Sequence, residues 1–138
     1  MVPAKIPTAS VSREKYVYYW RNAQECFRGM QEAALAERWH LTALDGIHCV
    51  IAAADALLVF TVGLRSRSRD HRDVFALLTQ HISDPRRDQM IKHGLNVLRQ
   101  KTEVEYGAKQ VSRQQAYGLM KQVERFYYWV QDKIGRSL

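Results

Sequence analysis

Apolar residues recur at intervals of three and four along most of the chain, which is the spacing of amphipathic helices. Runs that alternate apolar and polar residues between turn dipeptides, as strands do, are nearly absent. The spacing predicts helices over residues 13–36, 40–64, 70–81, 84–106 and 112–135. Because every predicted element is helical and the loops are short, the pattern predicts an all-α fold.

Within that class, the lengths of the elements predict a single-domain, mostly antiparallel helical bundle of four long helices plus one short helix. We expect the bundle to span residues 13–135, between an N-terminal tail at 1–12 and a C-terminal tail at 136–138.

Polar residues with capping chemistry stand where three of these helices are expected to begin. Ser12 precedes the first helix, and Asp84 is followed by Pro85, a residue that fits the first helical position because its missing N–H has no partner there. Ser112 and Gln115 match the capping box. The fourth helix is predicted to continue without a break to Tyr106.

The second helix is the most apolar, so we expect it to be the central and most buried one. Residues 49–64 contain only Asp55 and Thr61 as polar interruptions. An aspartate near the middle of a membrane span costs about 2.5–3.5 kcal/mol on insertion scales, and the stretch is short for a span. These properties favour a buried helix over a membrane-spanning one.

Two polar residues, His48 and Asp55, interrupt the apolar stripe of that helix. They lie two turns apart, about 10 Å along the axis, so each needs a partner on another segment. Candidate partners follow: Arg65, His71, Arg99, Lys101, Glu103, Glu105 and Tyr106. Either these groups form a buried polar network that fixes helix packing, or they line a pocket.

Composition narrows the function classes. The chain has 138 residues, 46% of them apolar, and a net charge of +7 from 21 Lys and Arg against 14 Asp and Glu. Such a surface attracts polyanions, although an acidic protein partner would satisfy it too. Four arginines in one loop could hold phosphates or could be a solvated loop: Arg65, Arg67, Arg69 and Arg72.

Other chemistries are disfavoured by what the sequence lacks. The Asp45 and His48 pair resembles half of a di-metal motif, but no matching set follows, so we predict no metal site and no cofactor. There is no serine-nucleophile elbow and no glycine-rich phosphate loop. Cys26 and Cys49 lie in apolar stretches and are predicted to be small buried hydrophobes. Together with an N-terminus that lacks a secretory signal, this favours a cytoplasmic protein without membrane association.

Aromatic residues cluster in the first and last predicted helices. Their spacing assigns most of them to a core contact between these two helices rather than to base stacking. Tyr18, Tyr128 and Trp129 fall off the stripes, so they are expected to be exposed or to contribute to a homodimer contact.

Several short segments, taken in order, give the chain a family resemblance: His48, residues 51–56 (IAAADA), residues 63–66 (GLRS), Asp70 with His71, residues 101–106 (KTEVEY), and Arg125 with Phe126. The chain resembles the HEPN superfamily of helical nucleotide- and nucleic-acid-associated domains. The closer likeness is to the prokaryotic branch in which a Lys-x-x-x-Glu-Tyr segment ends the penultimate helix.

The resemblance implies a set of roles. Catalytic HEPN members are metal-independent ribonucleases, often toxins with a nucleotidyltransferase-like antitoxin, and they carry Arg, then four to six intervening residues, then His. Arg99 occupies the arginine position here, whereas Tyr106 stands where the histidine is expected. Tyrosine is a poor base near neutrality. The resemblance also implies a homodimer and a place in a toxin–antitoxin or defence system.

We therefore carry three hypotheses forward. In the first, an HEPN-like domain binds a nucleotide or RNA; Arg65, Arg67 and Lys101 hold phosphate, and His48, Asp55 and Glu105 organise a polar pocket. In the second, the chain is a non-catalytic helical interaction or dimerisation module. In the third, it is a metal-independent ribonuclease toxin, with Arg99, Tyr106 and His71 as its catalytic residues.

Overall fold

The structure, a computed structural model, describes residues 5–135 and confirms the all-α class. Its α-helices are α1 Tyr16–Leu35, α2 Trp39–Val62, α3 Arg72–His81, α4 Arg87–Leu98, α5 Lys101–Tyr106 and α6 Arg113–Gly135. One 3-10 turn, Arg13–Lys15, precedes α1. Two short strands are also present, β1 Thr8–Ser10 and β2 Leu64–Ser66.

Helix α2 is the central element, as its composition predicts. It contacts all five other helices, and residues along its length are fully buried, among them Ile47, Leu57 and Val59. Within residues 5–135 it is also the helix that is long and apolar enough to cross a membrane, with a mean hydropathy of 1.8, but 61% of that window is buried inside the protein.

Helix α2 is capped at its C-terminal end by Gly63, whose left-handed backbone conformation is rare for residues other than glycine. Gly63 has a φ of 63°, the left-handed conformation that stops a helix, and a Cβ at this position would lie 2.9 Å from the carbonyl oxygen of Val11. The chain can therefore turn directly from α2 into β2.

The first strand lies inside the segment that we expected to be a tail. It pairs antiparallel with β2, with Ala9 opposite Arg65. Further backbone bonds extend the pairing on both sides, from Val11 N–H to Gly63 O at 2.9 Å and from Arg67 N–H to Pro7 O at 2.8 Å. This pairing fixes the backbone of the basic segment immediately after α2.

The predicted fourth helix is two helices in the structure. The backbone turns at Arg99 and Gln100, where Gln100 N–H bonds to Val97 O in the tighter i to i−3 pattern, and α5 then begins at Lys101. No glycine or proline marks the turn. Its physical reason is tertiary: α5 packs on α2 and buries Val104, which is 3% exposed.

The predicted helix starts have mixed outcomes. Ser112 Oγ accepts the Gln115 N–H at 3.0 Å, which confirms it as a cap. Asp84 accepts the Arg86 N–H at 2.7 Å, but α4 begins only at Arg87. Ser12 is wrong as a cap, because its hydroxyl donates to the Glu14 carboxylate at 3.4 Å instead.

The first and last helices meet through their aromatic residues, as predicted. The ring of Tyr127 stacks on those of Phe27 and Trp20, with centroids 3.9 and 4.8 Å apart. Tyr18 and Tyr128 are exposed, whereas Trp129 is 2% exposed, so its predicted exposure is wrong. Trp129 packs against Phe126, its neighbour three positions earlier on α6.

The two cysteines differ in their surroundings. Cys49 is buried in the core, as predicted, and Cys26 is half-buried. Burial raises the pKa of both thiols, and the nearby Asp45 carboxylate raises it further. Both side chains are therefore neutral thiols near pH 7.

Candidate functional site

A cleft of about 520 Å³ lies between the loop that precedes α3 and the turn that joins α4 to α5. We call it the cationic cleft and define it by its lining residues: Arg69, Asp70, His71, Arg72, Leu95, Leu98, Arg99, Lys101 and Thr102. The loop supplies one wall and the α4–α5 turn supplies the other. The break in the predicted fourth helix therefore builds half of the cleft.

Hydrogen bonds among its own residues hold the loop wall in place. The Ser68 hydroxyl donates to the Asp73 carboxylate at 2.6 Å and accepts the Asp70 N–H at 3.1 Å. Asp70 accepts three side-chain bonds from Arg72, the shortest at 2.7 Å, and these bonds lower the pKa of Asp70. The loop is thus organised before any ligand arrives.

Two arginines of the cleft have no such partner. Arg69 belongs to the loop wall and Arg99 to the turn wall, and both side chains are exposed. In the part of the chain that the structure describes, neither guanidinium forms an ion pair or hydrogen bond. Each wall therefore carries an uncompensated positive charge.

A second group of polar residues lies at the α5 side of the cleft, and we call it the inner cluster: His48, His71, Lys101 and Glu105. Lys101 Nζ donates to Glu105 Oε2 at 3.0 Å, and His48 Nε2 lies 3.8 Å from Glu105 Oε1. Electrostatic coupling connects His71 with the other three residues. Partial burial lowers the pKa of His71, and the Lys101 ammonium lowers it further.

The inner cluster brings together four residues that the sequence analysis singled out on three separate segments. His48 nevertheless differs from expectation, because half of its side-chain surface is exposed. The physical reason is the distance along α2: a step of seven residues keeps His48 and Asp55 on nearly the same face, about 20° apart, but separates them by about 10 Å along the axis. Different segments therefore cover them.

Asp55 lies in a different place with a different partner. Burial raises the pKa of Asp55 to about 6, and the Arg65 guanidinium opposes that rise. Arg65 itself lies over the ring of Tyr19, 5.3 Å from its centroid. None of these three residues lines the cationic cleft, so the structure divides the predicted polar pocket into two sites.

Two further predicted residues also lie outside the cleft lining. The Tyr106 side chain is 80% exposed at the end of α5. Arg67 is exposed beside β2, where its backbone bonds to Pro7. Of the predicted phosphate-binding set, Lys101 alone lines the cleft; of the predicted catalytic set, Arg99 and His71 do.

The sequence patterns gave no site role to the apolar residues of the cleft lining. These residues are Leu95 and Leu98, and Leu98 also belongs to the core, with 7% of its surface exposed. A signal for this role would have required knowing that the helix ends at Leu98, and no residue type in the sequence marks that end.

Residues 5–135 also contain a groove that is larger than the cationic cleft, and they contain no cluster suited to a metal. The groove, of about 720 Å³, runs between α4 and α6. Its lining mixes charges of both signs and includes none of the predicted site residues: Arg86, Met90, Lys121, Glu124, Arg125, Tyr128, Trp129 and Asp132. In the same residues no group of three or more His, Cys, Asp or Glu side chains is placed to hold a metal ion.

Comparison with known proteins adds no assignment, since no family model matches the chain and no curated protein matches it either.

Proposed function

We propose that this chain is an HEPN-like helical domain that binds a nucleotide or RNA, and that the phosphate group enters the cationic cleft. The observation that carries the proposal is the pair of arginines without partners, Arg69 on one wall and Arg99 on the other. Cations left uncompensated on both sides of a cleft attract an anion between them, and guanidinium groups bind phosphate through paired hydrogen bonds.

The other cations of the cleft contribute less. Arg72 is already bonded to Asp70, and Lys101 is already paired with Glu105. Both still add positive potential, but a phosphate must compete with a carboxylate for their N–H groups. Arg69 and Arg99 are therefore expected to supply most of the binding free energy that comes from charge.

The apolar part of the cleft lining favours a phosphate ester over an inorganic ion as the ligand. Leu95, which is half-buried, offers apolar surface among the lining residues, and Thr102 adds a hydroxyl. Sites for small organic ligands combine mostly apolar surface with a few polar groups that fix orientation. A nucleoside can contact Leu95 while its phosphate meets the guanidinium groups.

The experiment that tests the proposal measures the affinity for adenosine monophosphate and for a short single-stranded RNA at two salt concentrations. Arg99→Ala is expected to weaken binding by about tenfold and to lower the salt dependence by about one phosphate contact. Arg125→Ala, which removes an arginine from the α4–α6 groove, is the matched control and should change affinity by less than about twofold. Equal losses in both variants would contradict the proposal.

One observation favours a second candidate, a metal-independent ribonuclease. Arg99 and His71 line the same cleft, so a phosphate held by Arg99 lies within the reach of an imidazole. The imidazole can take the 2′-hydroxyl proton while the 2′-oxygen attacks the phosphorus and the bond from phosphorus to the 5′-oxygen breaks. The 5′-oxygen leaves with a proton from solvent, and the guanidinium stabilises the charge that develops on the phosphate. Tyr106 lies outside the cleft lining and has no role in this candidate mechanism, which uses Arg99 and His71 alone.

RNA cleavage in the presence of a chelator tests this candidate. Arg99→Ala and His71→Gln should each abolish cleavage with the helix content unchanged, whereas Tyr106→Phe should retain it. Cleavage that survives Arg99→Ala would contradict this candidate function, because its active site would then not be the cationic cleft.

The remaining expectations rest on the family resemblance and belong to the same proposal. They are a homodimer, a cytoplasmic setting, and a toxin–antitoxin or defence role with a nucleotidyltransferase-like antitoxin. The rival, a non-catalytic interaction module, predicts that no phosphate ester binds at any salt concentration.

A further inference from the structure

His71 is the histidine of the cationic cleft, and it lies in the loop wall. It is the last residue before α3, it lines the cleft between Arg69 and Arg72 on the loop wall, and it is coupled to Lys101 of α5. It is thus the one titratable group near neutral pH in the cleft lining, which lies within the described residues 5–135.

The charges that face His71 come from three elements. Asp70 lies next to it in the loop, Lys101 and Glu105 belong to α5, and His48 belongs to α2. Partial burial and Lys101 keep the pKa of His71 below its usual value, although Asp70 and Glu105 oppose them. Arg69, Arg72 and Arg99, which share the cleft, also disfavour a further positive charge. The imidazole of the free protein is therefore neutral at pH 7.

A phosphate in the cleft reverses this balance. Its negative charge compensates the surrounding cations, and its oxygens accept an N–H bond from an imidazolium more strongly than from a neutral ring. We propose that His71 takes up one proton from solvent when a phosphate ester enters the cationic cleft, so that binding strengthens as the pH falls. The proton returns to solvent when the ligand leaves. This inference rests on the proposed function.

His48 is the histidine with which His71 must be compared. It lies outside the cleft lining and faces Glu105, whose carboxylate is 3.8 Å away. A ligand in the cleft therefore changes the surroundings of His71 more than those of His48. His71 is the binding residue in this proposal, and His48 serves as its nearest control.

The test uses a ribodinucleotide, because a phosphodiester does not titrate between pH 5.5 and 8, and adenosine monophosphate as a second ligand. Affinity is measured over that range at constant ionic strength. Uptake of one proton changes affinity by up to about tenfold per pH unit. We expect the dinucleotide to bind at least about fivefold more tightly at pH 5.5 than at pH 8, with calorimetry in two buffers showing net proton uptake.

His71→Gln should lose the increase at low pH, so that its affinities at pH 5.5 and pH 8 differ by less than about twofold. His81→Gln, at the last residue of α3 and outside the cleft, should keep the increase. A merely structural role for His71 would weaken binding equally at both pH values.

The outcomes separate this inference from the proposed function. Binding that does not depend on pH, or a pH dependence that survives His71→Gln, overturns the inference and leaves the proposed function standing. Loss of the pH dependence in His48→Gln alone overturns the assignment to His71. Failure of both ligands to bind at any pH overturns both proposals. When both bind, the tighter ligand distinguishes a free nucleotide from an RNA strand.

Discussion

His48 and Asp55 interrupt the same apolar stripe of α2 but lie in contrasting sites. His48 is half exposed and faces a carboxylate across a small gap, in a cluster that adjoins a cleft. Asp55 is half-buried, its burial raises its pKa, and Arg65 is its opposing charge. The difference shows that a polar residue in an apolar pattern does not by itself indicate a functional site. Its burial and partners decide whether it costs folding free energy or is available to a ligand.

The largest expected effect concerns Asp55. Because its pKa is raised to about 6 in the folded protein, from 3.8 in a model compound, the folded state binds the proton more tightly than the unfolded state. The stabilisation is present below about pH 4 and is lost as the pH rises through 6. Asp55→Asn should therefore increase the free energy of unfolding at pH 8 by about 1–3 kcal/mol, and hardly at all at pH 4.

Urea denaturation at the two pH values measures this difference. A variant that is less stable than the wild type at pH 8 would mean that the charged carboxylate has a stabilising partner, and the contrast with His48 would then disappear.

The contrast also shows how far the sequence determines this fold. The stripe of α6, the cap at Ser112 and the central place of α2 all follow from local chemistry that the residues carry themselves. The turn at Arg99 and Gln100 does not, because neither residue favours a break and the packing of Val104 on α2 causes it. The cationic cleft depends on that turn, so its apolar lining could not be predicted.

The candidate site was predictable only in part. Spacing singled out every member of the inner cluster, but it could not separate Arg65, which lies by Asp55, from Arg69, which lies in the cleft. The two arginines are four residues apart in one basic segment. The pairing of β1 with β2 directs Arg65 to one site and leaves Arg69 in the loop for the other.

Substitution of Arg65 should change the free energy of unfolding by a smaller amount. Arg65→Ala removes the guanidinium that opposes the raised pKa of Asp55 and its contact with the Tyr19 ring. We expect a loss of about 1 kcal/mol in unfolding free energy at pH 8. Affinity for phosphate esters should change by less than about twofold. A large loss of affinity with unchanged stability would instead assign Arg65 to the binding site.

The smallest change in affinity is expected for a substitution of Glu105, which forms an ion pair with the Lys101 ammonium in the inner cluster. Glu105→Gln removes a negative charge beside the cleft and releases Lys101 for a ligand. Affinity for a short RNA should rise by about two- to fourfold at low salt and less at high salt. Glu103→Gln, on the exposed side of α5, is the matched control. Weaker binding after Glu105→Gln would mean that Glu105 holds Lys101 in a productive position.

The central claim is that a phosphate ester binds in the cationic cleft, and the most direct test is backbone amide NMR during titration with adenosine monophosphate. We expect the largest chemical-shift changes on residues 69–72 and 99–102, which form the two walls. Changes centred on α6 in the α4–α6 groove, or around Asp55 and Arg65, would contradict it.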